Sequence, residues 1–122
     1  MRDKEILLLD DNLFFSTAVS GQLEKAGVAC KVVNPKEVNL SSVKMPSLAI
    51  VNLNSQNFQA LELIPTLKQS GARVLGFCGH GQTILMQRGQ KAGCDWVIPN
   101  SVAAKKIVHF LKQQNFSELS DR

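Results

Sequence analysis

The chain has 122 residues, of which 44% are hydrophobic and 20% charged, a composition typical of a single globular domain. This composition excludes a disordered or collagen-like chain, and no apolar run is long enough for a transmembrane helix. The net charge is +4, and the whole excess lies in residues 72–122, where seven basic side chains outnumber three acidic ones. The three cysteines show no CxxC spacing, which disfavours a disulfide scaffold and a structural zinc site.

Apolar runs of strand length alternate with segments of helical period in the first half of the chain. Residues 6–9 form an apolar run that ends in two acids, which is typical of a buried parallel strand. Residues 13–26 carry apolar side chains at helical spacing, and Gly27 predicts the end of that helix. We predict a second strand over residues 28–33 and one short helix over residues 36–46.

The second half of the chain continues the alternation. The predicted elements are a strand over 47–51, a helix that includes 61–67 and ends at Gly71, a strand over 73–78, a helix over 82–92, a strand over 96–98 and a helix over 102–114. This order predicts an α/β fold in which a parallel sheet has helices on both faces. Right-handed crossovers favour the flavodoxin-like (βα)5 three-layer sandwich, with five strands in the order 2-1-3-4-5. We expect one domain over residues 1–114 and a polar C-terminal tail over residues 115–122.

Polar side chains are expected to meet at one edge of this sheet. In such folds the ligand or reactive site lies at the carboxyl ends of the strands. That edge carries Asp10 and Asp11 after the first strand, Asn52 after the third, Cys78 after the fourth and Asn100 after the fifth.

Three features carry a resemblance to a known family: the acidic pair, the stretch SLAIVNLNSQNFQALELI, and Ala92-Gly93 before the short fifth strand. Over residues 4–114 the chain resembles the receiver domain of two-component response regulators, of the chemotaxis-regulator type. The resemblance implies signal transduction through a phosphorelay. It also implies a phosphoacceptor aspartate at the end of strand three and a magnesium ion bound by the acidic pair. A serine or threonine after strand four and a lysine after strand five would sense the phosphoryl group.

Three of these five functional positions carry a different residue. The resemblance places the phosphoacceptor at Asn52, the hydroxyl at Cys78 and the lysine at Asn100. An amide is a far poorer nucleophile than a carboxylate, and it brings no negative charge to Mg²⁺, which prefers anionic oxygen ligands. We therefore expect a pseudo-receiver that is not an enzyme, is not phosphorylated on aspartate and acts by protein–protein interaction.

The acidic pair has two interpretations. One is a weak residual Mg²⁺ site that includes Asp10, Asp11, Asn52 and the backbone carbonyl of Asn54. The other is an inherited pair, one member of which caps or hydrogen-bonds the first loop. We expect no cofactor to be required.

Two further hypotheses concern the same edge of the sheet. The vacated phosphorylation pocket could hold a small neutral or cationic ligand, which would make the chain a ligand sensor. Cys78 and the nearby His80 could form a nucleophilic pair, although the neighbouring acids disfavour a thiolate. A cysteine at the end of a strand is more often a small buried hydrophobe.

Basic side chains concentrate on the last two predicted helices and the strand between them, which the resemblance implies is the output and dimer surface. We call this surface the basic face and define it by Arg88, Lys91, Trp96, Lys105, Lys106 and His109. It predicts an acidic signalling partner or self-association. The absence of a recognition-helix motif and of interleaved aromatics disfavours nucleic acid. No membrane association is expected, and the short apolar stretch near the N-terminus does not fit a signal peptide, so we expect a cytoplasmic location.

Overall fold

The computed structural model describes residues 6–34, 47–55 and 59–116. The elements in these ranges are β1 (Ile6–Leu9), α1 (Leu13–Lys25), β2 (Cys30–Val33), β3 (Leu48–Asn52), α2 (Ala60–Gln69), β4 (Arg73–Cys78), α3 (Thr83–Ala92), β5 (Trp96–Pro99) and α4 (Asn100–Gln113). The short helix predicted over residues 36–46 lies outside the described residues. None of the described helices combines the length and the apolar character needed to cross a bilayer.

The five strands form one parallel sheet in the order β2-β1-β3-β4-β5. This is the predicted flavodoxin-like order, and the fold prediction is confirmed. The register aligns Leu9 with Val51. The residues that follow, Asp10 and Asn52, therefore lie side by side at the carboxyl edge of the sheet.

The sheet is the middle layer of the molecule because both of its faces are covered by helices. Ile6 and Leu8 pack in a cluster with apolar residues of α1 and α4, whereas Leu7 and Leu9 pack in a second cluster with α2 and α3. Successive side chains of a strand point to opposite faces. A strand buried on both faces has an uninterrupted apolar sequence, as β1 does.

The C-terminal end of the domain differs from the prediction. Phe116, which we assigned to a polar tail, is only 2% exposed and packs in the cluster with α1 and α4. Asn115 adopts the left-handed conformation (φ 58°), and the Phe116 amide donates to the Leu111 carbonyl at 3.1 Å. These are features of a Schellman motif. The domain therefore extends at least to Phe116 instead of ending at residue 114.

Candidate functional site

The centre of the candidate site is a direct contact between Asp10 and Asn52. The Asn52 amide Nδ2 donates to Asp10 Oδ1 at 2.9 Å, and the two residues are only 4% and 2% exposed. The backbone amide of Asn54 donates to Asn52 Oδ1, also at 2.9 Å. Both polar atoms of the Asn52 side chain are therefore engaged.

Asp10 is a buried acid with one satisfied and one unsatisfied oxygen. Besides Asn52, the backbone amide of Asn12 donates to Oδ1 at 3.0 Å. The other oxygen, Oδ2, is buried and has no hydrogen-bond partner among the described residues. Burial raises the pKa of Asp10, although the hydrogen bonds from Asn52 and Asn12 oppose the rise. The ionised form is costly because Oδ2 loses its hydration on burial and gains no hydrogen bond in exchange.

The two members of the acidic pair have different surroundings. Asp11 is partly buried, and its Oδ2 accepts a hydrogen bond from the Ser55 hydroxyl at 2.9 Å. Neither acid caps α1, because the N-cap is Asn12, whose side chain accepts from the Phe15 amide. Asp10 instead hydrogen-bonds the loop that leads into α1.

Only some of the side chains at this edge of the sheet offer the oxygen ligands that a cation needs. Within the described ranges, no three acidic, histidine or cysteine side chains are grouped closely enough to hold a metal ion. Asp10 Oδ2 is an available hard oxygen ligand, and Asp11 supplies a second carboxylate. Asn52, however, presents an N–H group to Asp10, where a third carboxylate would have added oxygen ligands and charge. A weak Mg²⁺ site stays a prediction.

The comparisons with known proteins give matches among solved structures alone. No family model and no curated protein sequence matches the chain. One match is a response regulator from Burkholderia pseudomallei, described with a phosphorylated aspartic acid and a calcium ion. Its sequence is 23% identical and its TM-score is 0.69, and the alignment covers 94% of this chain and 74% of the matched chain. A second match is a CheY-like receiver domain protein from Methanospirillum hungatei, which is 17% identical and has a TM-score of 0.78. The alignment covers 99% of this chain and 100% of the matched chain.

A third match is NtrX from Brucella abortus, which is 18% identical with a TM-score of 0.80. It covers 97% of this chain, which corresponds to 28% of NtrX. The chain has the receiver-domain fold. At these identities the likeness establishes the architecture, and it leaves the chemistry of the receiver site to be argued from this chain's own residues.

Cys78 is the last residue of β4 and packs into the apolar core. Its side chain is fully buried in the cluster with α2 and α3, and burial raises the pKa of the thiol. The nearby His80 is exposed, so its position lends no support to a nucleophilic pair with the buried thiol, and that hypothesis stays untested. Cys78 therefore has the environment of a buried hydrophobe.

Asn100 does not lie in a loop after strand five. It is the first residue of α4, which begins two residues earlier than predicted, directly after β5. The register pairs Cys78 with the preceding residue, Pro99. Asn100 Oδ1 is buried without a hydrogen-bond partner in the described part of the chain. Neither Pro99 nor Asn100 carries the ammonium group that a receiver lysine would supply.

Among the contacts that the sequence did not predict is a link between two loops at the site. The Gly79 backbone amide donates to Asn54 Oδ1 at 2.8 Å and to Gln82 Oε1 at 2.7 Å. The loop after β3 is thereby joined to the loop between β4 and α3. A short amide side chain just after a strand is a sequence signal for such a bond, although it does not identify the partner.

The basic face is exposed except at its aromatic residue. Arg88 and Lys91 on α3 are exposed, and so are Lys105, Lys106 and His109 on α4. Trp96 is half-buried: the Arg73 guanidinium carbon lies 4.4 Å from the ring centroid, and the Phe110 ring packs edge-on at 6.3 Å. Trp96 is therefore engaged by contacts within the chain.

Two open pockets of about 490 and 510 Å³ lie along α3. Both include Ile84 and Arg88, and neither includes Asp10 or Asn52. The small-ligand hypothesis, which needed a cavity at the vacated phosphorylation pocket, gains no support from these two pockets and stays a prediction.

Proposed function

We propose that this chain is an atypical receiver domain that acts in signal transduction by protein–protein interaction, without phosphorylation on aspartate. The observation that carries the proposal is the hydrogen bond from Asn52 to Asp10. Asn52 occupies the position that the resemblance assigns to the phosphoacceptor. A carboxylate there would attack phosphorus through an oxygen and form an acyl phosphate. The amide nitrogen of Asn52 donates to a neighbouring acid instead, and its oxygen accepts from Asn54.

The proposal places partner binding on the basic face. This surface spans the edge strand β5 and the two helices beside it, α3 and α4. The sequences of these helices, TILMQRGQKA and NSVAAKKIVHFLKQ, contain no acidic residue. The positive charge is therefore not neutralised within either helix, and it would attract an acidic surface of a signalling partner or of a second copy. We include in the proposal a cytoplasmic location, no required cofactor and no enzymatic activity.

A phosphorylation assay tests the chemical half of the proposal. We expect incubation with acetyl phosphate and Mg²⁺ to leave the intact mass of the protein unchanged. Asn52→Asp is the matched variant, because it restores the carboxylate at the same position. A stable gain of about 80 Da, the mass of one phosphoryl group with its three acceptor oxygens, would contradict the proposal if it appeared in the wild type and was lost in Asn52→Ala.

Charge reversal tests the interaction half of the proposal. We expect the Lys105→Glu/Lys106→Glu variant to lose a partner that the wild type captures in a pull-down, or to lose self-association in sedimentation. Lys25→Glu/Lys31→Glu is the matched control, because it changes the net charge equally at exposed lysines on α1 and β2. Equal losses in both variants would contradict a specific role of the basic face.

A further inference from the structure

Helix α4 is interrupted near its middle. It extends from Asn100 to Gln113, but Lys106 has non-helical backbone angles, φ −137° and ψ 24°. In a continuous α-helix the amide of residue 107 donates to the carbonyl of residue 103. The interruption at Lys106 falls within that hydrogen-bonded turn.

A side chain from α1 occupies the place of this hydrogen bond. The Ile107 backbone amide donates to Gln22 Oε1 at 2.9 Å. Gln22 Nε2 in turn donates to the Ala103 carbonyl at 3.1 Å and to the Ala104 carbonyl at 2.6 Å. We call these three bonds the Gln22 bridge. A side chain inserted into the hydrogen-bond ladder is a recognised cause of helix kinks, so the bridge gives a local physical reason for the interruption.

The Ile107 amide and the Ala103 carbonyl have hydrogen-bond partners whether or not the Gln22 bridge is in place. With the bridge in place, the Ile107 amide and the Ala103 carbonyl each bond to Gln22. With the bridge withdrawn, the two groups are able to bond directly to each other, as in any continuous helix. Gln22 also contacts its own helix through Nε2 and the Ala18 carbonyl, at 3.3 Å, so the withdrawn side chain has a bonding partner on α1.

We propose that the Gln22 bridge is a conformational device that holds α4 in an interrupted form, and that its withdrawal lets α4 close into a continuous helix. The two lysines that flank the interruption, Lys105 and Lys106, then change their relative orientation. The consequence for binding rests on the proposed function, whereas the change in α4 itself does not.

The bridge also connects α4 with the candidate site. Helix α1, which carries Gln22, starts from the loop that Asp10 holds through the Asn12 amide. Gln22 lies ten residues beyond Asn12, about 15 Å along the helix axis. In this proposal the bridge is withdrawn when the Gln22 side chain, which α1 carries, leaves the backbone groups of α4.

A substitution of Gln22 tests the proposal by nuclear magnetic resonance. Gln22→Met keeps the length of the side chain and removes both its donor and its acceptor. We expect the carbon and amide shifts of Lys106 and Ile107 to become helical and the Ile107 amide to stay protected from hydrogen exchange. Gln113→Met, at the exposed end of α4, is the matched control and is expected to keep the interruption. A persistent interruption in Gln22→Met, or loss of protection beyond Lys106, would overturn the proposal, since Gln22 would then be a consequence or a static brace.

If Gln22→Met does not fold, the wild-type protein decides the question. Relaxation dispersion at the Lys106 and Ile107 amides and at the Gln22 side-chain amide is expected to report one common exchange process. Flat profiles at these three groups would overturn the proposal. Neither measurement involves a partner or a phosphodonor, so failure of the bridge proposal is distinguishable from failure of the proposed function.

Discussion

Asp10 shows how burial alters the chemistry of a single residue. The carboxyl group has hydrogen bonds on one oxygen only, and burial raises its pKa. The native state therefore holds the Asp10 proton more tightly than the unfolded state does. The contribution of this group to stability is fully present below its pKa in the unfolded chain, and it is lost as the pH rises through the higher pKa in the folded protein.

Asp10→Asn is expected to stabilise the protein at pH 7. The amide oxygen keeps the hydrogen bonds from Asn52 and Asn12, and the charge is removed from a buried position. We expect a gain of about 1 kcal/mol in the free energy of unfolding, measured by urea denaturation, and a smaller gain at pH 4. Asp11→Asn, at a less buried position, is the control. A loss of stability at pH 7 would show that ionised Asp10 has a stabilising partner such as a cation.

Asn52→Asp is expected to have the opposite effect. It replaces a hydrogen-bond donor, 2.9 Å from Asp10, with a third carboxylate, and like charges in contact repel. We expect the thermal midpoint to fall in the absence of divalent cations and to recover in Mg²⁺, with Mg²⁺ affinity roughly tenfold above that of the wild type because a charged ligand is added. Unchanged Mg²⁺ affinity in calorimetry would show that Asn52 does not adjoin a cation site.

At the scale of elements, close packing depends on two glycines that oppose one leucine. A Cβ atom at Gly89 of α3 would lie 2.8 Å from Leu53 Cδ1, and one at Gly76 of β4 would lie 2.9 Å from the same atom. Leu53 is buried and follows Asn52 directly. Because neither glycine has a side chain, the Leu53 side chain fits between α3 and β4.

Gly89→Ala is expected to destabilise the protein. Overpacking against the buried Leu53 costs about 1–3 kcal/mol, which at least cancels the gain of about 1 kcal/mol of alanine over glycine in a helix. Gly21→Ala in α1 is the matched control, because nothing lies within 4 Å of its added Cβ, and it is expected to stabilise the protein. Urea denaturation of both variants measures the difference, and equal effects would contradict the packing argument.

The helix ends show what local sequence predicts well. Gly27 and Gly71 have positive φ and follow the helices whose ends they predicted, and Gly93, also with positive φ, follows α3. The end of α4 uses Asn115 instead. Because asparagine also occurs in ordinary loops, Asn115 did not indicate a helix cap, and residues 115–122 were predicted to form a polar tail.

At the scale of the whole molecule, Phe116 closes the cluster between the sheet, α1 and α4. Phe116→Ala is expected to lower the free energy of unfolding by about 3–5 kcal/mol, and a chain ending at residue 114 is expected to lose at least as much. Asn115→Gly keeps the cap conformation and serves as the control, with stability unchanged or raised. A fully stable chain ending at residue 114 would restore the boundary predicted from the sequence.

The sequence by itself determined the alternation of elements, the sheet order and the presence of an amide at the end of β3. These follow from local periodicity, from the handedness of crossovers and from residue identity, which are readable along the chain. Only the tertiary structure decided that Asn52 donates to Asp10, that Cys78 is buried in the cluster with α2 and α3 and that Gln22 enters α4. Each of these depends on strand register or helix packing between residues distant in sequence, and periodicity carries no information about such contacts.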